Sequence, residues 1–132
     1  MMSLDTHALV WWLSRNSQLS TRARRLIDKE SKTPDNLCVS SVSIWEIAML
    51  VAKGRLVLRV NLEDWIAQAE RVEAIQFVPV NNRIALRATQ LPEPLHKDPA
   101  DRIIIATTME LGCRLVTGDR KITAYPQVET VW

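Results

Sequence analysis

Short apolar runs alternate with amphipathic helical segments along nearly the whole chain, and the junctions carry residues that start helices. This alternation is the strongest constraint on the fold. Neighbouring parallel strands need a crossover of a dozen or more residues, usually a helix, so the pattern calls for a mostly parallel sheet covered on both faces. The reading along the chain is a short strand over 3–5, a helix over 7–15, and a helix from the Ser20 cap to about residue 31. A turn at 33–36, a buried strand over 37–40 and a helix over 42–53 ended by Gly54 follow. Residues 56–58 read as an edge strand, and Asn61 caps a helix through 73 with Asp64 at its third position. A strand over 77–80 and a helix over 81–91 lead to a loop forced by Pro92 and Pro94. Asp98-Pro99-Ala100-Asp101 has the form of a helix start, with a helix to 111 stopped at Gly112, then strands over 114–117 and 128–132. The expected architecture is one three-layer α/β/α domain over 1–132 with a mostly parallel central sheet.

Composition supports a cored domain. Of the 132 residues 47% are apolar, enough to stabilise a fold without disulfides. Cys38 and Cys113 lie in strand-like stretches without metal-ligand spacing and are expected reduced and buried, as suits a cytoplasmic protein. No leader-like segment opens the chain, and no apolar run approaches the roughly 20 residues of a membrane span.

Five acids fall where strands give way to helices or just inside a helix: Asp5, Glu46, Asp98, Asp101 and Asp119. Each has an ordinary structural use when taken alone. Asp5 serves as a helix cap, Glu46 as a polar residue helped by a helix dipole, and Asp119 as a turn acid. Asp98 and Asp101 are what a helix start wants; Asp98 is assigned chiefly to capping, and Asp101, one turn in, is the better metal ligand. Together they mean more, because a parallel α/β sheet gathers such junctions at one edge. Two carboxylates about 5 Å apart repel by roughly 3 kcal/mol at an effective dielectric near 20. A pocket of them needs protons or hard cations, and Mg²⁺ or Mn²⁺ suits oxygen ligands and phosphodiester hydrolysis. The net charge agrees. With five acids gathered in a pocket, the other ten face 17 lysines and arginines, leaving about +7 elsewhere, as a phosphate-bearing partner would favour.

The runs 4–13 (Leu-Asp-Thr-His-Ala-Leu-Val-Trp-Trp-Leu), 43–48 (Ser-Ile-Trp-Glu-Ile-Ala), 96–102 (His-Lys-Asp-Pro-Ala-Asp-Arg), 105–107 (Ile-Ala-Thr) and 115–119 (Leu-Val-Thr-Gly-Asp) resemble the PIN domain family. They are similar in particular to VapC-type toxin ribonucleases of type II toxin–antitoxin systems. The resemblance implies a Mg²⁺- or Mn²⁺-dependent endoribonuclease with catalytic acids Asp5, Glu46, Asp101 and Asp119. It implies metal ligands among Asp5, Asp98, Asp101 and Asp119, with Asp98 either a direct ligand or in the outer shell, and supporting hydroxyls from Thr6 and Thr117. In that scheme Asp5 and Asp101 hold the metal while Glu46 and Asp119 shape a second ion or its waters; activated water attacks phosphorus, leaving a 3′-hydroxyl and a 5′-phosphate. An RNA substrate, a cognate antitoxin and a homodimer are further implications. The very short lead before Asp5 departs from the family pattern and costs strand length only.

Other residues are less pointed. His7 and His96 are possible proton carriers, but such histidines more often cap or bond backbone. Trp11, Trp12, Trp45 and Trp65 suit base stacking or, at helical spacing beside leucines, core and interface. Trp11 and Trp12 cannot share one core, so one should line a partner surface. A haloacid dehalogenase-like enzyme needs a second Asp where His7 stands. A receiver domain needs an acidic pair after the first strand and a late Lys. The remaining alternative is a silent PIN-like module that only binds RNA or an antitoxin, which the full set of candidate ligands disfavours.

Overall fold

β1 (Met2–Leu4) is wholly buried and lies at the centre of the sheet. β2 (Leu37–Ser40) flanks it on one side and β4 (Arg114–Val116) on the other, with Leu4 opposite both Val39 and Val116. β3 (Ile75–Val78) and β5 (Thr130–Val131) complete the order β3-β2-β1-β4-β5. Every pairing is parallel. The computed structural model describes residues 1–132.

Each crossover is helical, as parallel pairing demands. α1 (Thr6–Leu13) and α2 (Thr21–Glu30) join β1 to β2, and α3 (Val42–Ala52) and α4 (Leu62–Glu70) join β2 to β3. α5 (Asn82–Thr89) and α6 (Pro99–Leu111) return the chain across the sheet to β4, and α7 (Arg120–Thr123) precedes β5. The starts read from sequence are built as expected. Ser20, Asn61 and Asn81 accept hydrogen bonds from the backbone N–H of Ala23, Asp64 and Ile84 at 3.0, 2.9 and 2.9 Å, each contributing about 1 kcal/mol. Gly112 ends α6 at φ 65°, a left-handed conformation that glycine adopts without a Cβ clash.

The strand pleat divides the core in two. Met2, Leu4, Leu37, Val39 and Val116 pack with Ala8, Leu9, Ala23 and Ile27 of the first two helices. Leu115, which alternates with Val116, belongs instead to a second cluster with Ile104, Ile105 and Ile122. No helix is long and apolar enough to cross a membrane.

Several boundaries differ from the sequence reading. Residues 56–58 form no strand: Leu56 and Leu58 are half-buried against the core while Val57 is 89% exposed, so their alternation is satisfied by packing alone. β3 begins at Ile75, opposite Leu37, and stops before Pro79, which has no N–H to continue the ladder. Early entry into β3 also ends α4 at Glu70. The last strand is only Thr130–Val131, because Val128 packs into the second cluster. α7 occupies residues 120–123, for which the sequence reading gives no element. Cys38 is buried as expected, whereas Cys113 is only partly so; both are free thiols.

Candidate active site

Strand order reverses between β1 and β4, because one crossover leaves β1 towards β2 and the other reaches β4 from the opposite edge. Crevices beyond the carboxyl ends of strands at such a point bind ligands in open α/β sheets. Leu4 and Val116 are register partners, so the next residues, Asp5 and Thr117, stand side by side at that crevice.

Asp5 is held on both oxygens. Oδ1 accepts from the Ala8 N–H at 2.8 Å, capping α1, and Oδ2 accepts from Thr117 Oγ1 at 2.5 Å. Thr117 Oγ1 in turn accepts from the Asp119 N–H at 3.1 Å. Burial pushes the Asp5 carboxyl up to about 6. The bonds from Thr117 and Ala8 and the nearby His7 act against that rise, and the Asp101 charge adds to it.

Glu46 reaches the same place from α3. Thr6 Oγ1 bonds to its carboxylate and lies 2.9 Å from Ser43 Oγ. A hydroxyl has one proton, so Thr6 donates to Glu46 and accepts from Ser43. Asp98 caps α6, its Oδ1 accepting from the Asp101 N–H at 2.9 Å. Asp101 Oδ2 accepts from His96 Nε2 at 2.6 Å. Desolvation raises the Asp101 carboxyl, the His96 hydrogen bond opposes the rise, and the charges of Asp98 and Asp119 reinforce it. Asp119 caps the short α7 by accepting from the Lys121 N–H at 2.8 Å.

All five acids line one cleft of about 520 Å³, together with Thr6, His7, Trp11, Gln18, Gly118 and Trp132. No lysine or arginine lines it, and none of the five carboxylates pairs with one. The side chains do not already form a closed cage: no three His, Cys, Asp or Glu groups surround a common point. That suits a hydrated hard cation, since Mg²⁺ is usually held by one or two carboxylates and keeps several waters. Carboxylate and hydroxyl oxygens dominate the donors, with the His7 imidazole beside them, and neither cysteine lines the cleft. The donor chemistry therefore fits Mg²⁺ or Mn²⁺.

The structure brings together every acid singled out in the sequence, and Thr6 and Thr117 with them. It adds Ser43, Gln18 and Trp132, and it places the two histidines noted in the sequence, His7 in the cleft lining and His96 on Asp101. Ser43 was legible in principle, three residues before Glu46 on one helix face. His96 bonds a carboxylate rather than backbone. Trp132 had no local signal. Of the tryptophan pair, Trp11 lines the cleft while Trp12 Nε1 donates to Asp28 Oδ1 at 2.9 Å.

The chain matches the PIN domain family model over residues 2–128, and it belongs to that family. Within the family it is 36% identical to Ribonuclease VapC22 of Mycobacterium tuberculosis over 132 residues, 98% of this chain and 96% of the relative. Its fold is similar to VapBC2 from Rickettsia felis, crystallised on a promoter DNA fragment, with a TM-score of 0.70 at 13% identity over 98% of this chain and 96% of that one. It is also similar to FitAcB from Neisseria gonorrhoeae, with a TM-score of 0.69 at 19% identity over 100% and 97%. A toxin–antitoxin complex from Klebsiella pneumoniae gives a TM-score of 0.66 at 19% identity over 100% and 97%.

Proposed function

We propose that the protein is a divalent-metal-dependent endoribonuclease, the toxin of a toxin–antitoxin pair, and that the carboxylate cleft is where RNA phosphodiesters are hydrolysed. One observation carries the proposal: five acids from distant parts of the chain meet at the switch point of the sheet with no lysine or arginine to neutralise them. The 36% identity to a ribonuclease over nearly the full length supports the reaction class. Likeness to toxin–antitoxin assemblies supports an antitoxin partner.

In this reading Asp5 and Asp101 hold Mg²⁺ or Mn²⁺, with Asp98 and Asp119 contributing from the caps of α6 and α7. The ion, when bound, offsets charge at the phosphate and makes a water more acidic. The chain's residues supply orientation. Thr117 fixes the Asp5 carboxylate against α1, and Thr6 fixes Glu46 facing the cleft, where it can accept a proton from the attacking water. His96 holds one oxygen of Asp101 and leaves the other available. Raised carboxyl pKa values at Asp5 and Asp101 follow from the same crowding and burial, and a bound cation would lower them. A homodimer and a cytoplasmic setting complete the proposal.

The test is cleavage of a structured RNA with Mg²⁺, with Mn²⁺ and with EDTA, by the unaltered protein and by Asp5→Asn. Metal-dependent cleavage leaving 5′-phosphate ends and lost in Asp5→Asn is expected. Cleavage that persists in EDTA would remove the metal from the scheme, and RNA binding without any cleavage would leave a silent binding module.

A further inference from the structure

A second groove, of about 770 Å³, opens beside the acid cleft and shares His7, Trp11 and Gln18 with it. It runs between the end of α1, the segment after α3 and α4. Its charge is opposite to that of the cleft: Arg15, Arg55 and Arg59 line it, and no Asp or Glu does.

These three guanidinium groups are exposed and unengaged. None forms an ion pair within the chain. Four other arginines are engaged: Arg83 and Arg87 pair with Glu110, Arg24 donates to the Asn16 carbonyl, and Arg102 to the Ala88 carbonyl. Arg22, Arg25, Arg71, Arg114 and Arg120 are also unpaired but line neither groove nor cleft, so it is the grouping of Arg15, Arg55 and Arg59 beside the cleft that sets them apart. Arg15 also sits at φ 52°, a left-handed backbone that glycine or asparagine would adopt at lower cost. A cationic side chain is thus present at the groove despite an unfavourable backbone position.

Where groove meets cleft stands a row of rings. His7 and Trp11 have centroids 5.3 Å apart, and Trp11 and Trp132 6.0 Å apart. Trp132 is seated on Gly118, where an added Cβ would lie 2.7 Å from its ring. Aromatic faces beside unpaired arginines suit single-stranded nucleic acid, whose bases are free to stack and whose phosphates need cations.

We propose that this groove is the track for single-stranded RNA flanking the cleavage point, with phosphates on Arg15, Arg55 and Arg59 and a base stacked at the Trp11 end of the aromatic row. The proposal rests on the ribonuclease reading and adds the path by which RNA reaches the acids. A strand entering a cleft lined with carboxylates is repelled by them, so affinity must come from a cationic surface next to it. The shared residues make this groove continuous with the cleft. Its apolar wall, including Val57 and Val60, offers contact to sugar and base faces. A protein segment could use the same wall, but the arginines and the absence of acids favour the polyanion.

The experiment uses a fluorescent, unstructured ten-nucleotide RNA and the Asp5→Asn protein, which isolates binding from cleavage. Adding Arg55→Glu and Arg59→Glu should weaken binding at least about tenfold and reduce the slope of log affinity against log salt by about 1.4, two contacts at about 0.7 each. Arg55→Lys with Arg59→Lys should restore most of both. Trp11→Leu should abolish RNA-induced tryptophan quenching while leaving the salt slope unchanged. With Asp5 intact, the Glu pair should raise KM on the ten-nucleotide RNA and leave cleavage of a trinucleotide unaltered. If the protein with native arginines cleaves neither RNA, the ribonuclease reading fails. If it cleaves both and the Glu pair changes neither KM nor the salt slope, the track alone is overturned. Loss of a co-expressed protein partner in the Glu pair, with RNA binding intact, overturns it too and gives the groove to a peptide.

Discussion

The acid cleft and the arginine groove share three residues and little else. All five of the cleft's acids are anchored: Asp5, Asp98 and Asp119 cap helices, Asp101 is bonded to His96 and Glu46 to Thr6. The groove's arginines have no partner in the chain and sit on helix ends and loops. The difference is one of what each region must do. Carboxylates that bring a cation and a water into line must be positioned before anything binds. Guanidinium groups that follow a flexible backbone need charge and reach rather than fixed geometry. One region should therefore govern the chemical step and the other affinity.

The largest test of that division is Asp5→Asn, which should lower kcat/KM by about 10³-fold, about 4 kcal/mol of transition-state stabilisation, while RNA affinity stays within a fewfold. Equal losses in both would erase the distinction between cleft and groove.

A second test uses pH. The folded-state pKa of Asp5 is raised from 3.8 to about 6, so the native protein holds this proton more tightly than the unfolded chain does. Without metal, stability should then fall as pH rises from about 4 to beyond 6, by up to about 3 kcal/mol at pH 7. The raised Asp101 carboxyl adds in the same direction. Thermal unfolding in EDTA at pH 5 and 7.5 should show the loss, Mg²⁺ should reverse it at pH 7.5, and Asp5→Asn should remove the Asp5 share of it while leaving the Asp101 share. Stability that rises over this range would show the acids to be better compensated than their surroundings imply.

Smaller effects sharpen the picture. Thr117→Val removes the donor to Asp5 and should cost about 2 kcal/mol of stability, with activity down about tenfold and the groove's salt slope unchanged. Circular-dichroism melts and initial rates on one preparation would check both. Gly118→Ala places a methyl against Trp132 and should cost about 1 kcal/mol, with a shift in tryptophan emission. Emission identical to that of the unaltered protein would mean that the ring does not rest there.

Much of the fold was legible because its signals are local. The caps at Ser20, Asn61 and Asp98 and the stop at Gly112 depend on a few neighbouring residues, and all appear where read. Errors arose where a distant partner decided the outcome. Residues 56–58 alternate like a strand but find no ladder, and β3 starts early because Ile75 pairs with Leu37. The candidate acids were legible as junction residues. The bond from His96 to Asp101, the Thr6–Ser43–Glu46 chain and the seat of Trp132 on Gly118 were not, because each joins side chains whose proximity is set by packing.

The order and type of most elements, the helix ends and the acids at the strand-to-helix junctions follow from the sequence itself, since backbone propensity, side-chain caps and hydrophobic period act over a few residues. Only the tertiary structure decided that β1 lies between β2 and β4. That arrangement sets Asp5 beside Thr117 and separates an acidic cleft from a basic groove. Strand order and side-chain juxtaposition depend on contacts such as that between Asp5 and Thr117, 112 positions apart, which no local pattern encodes.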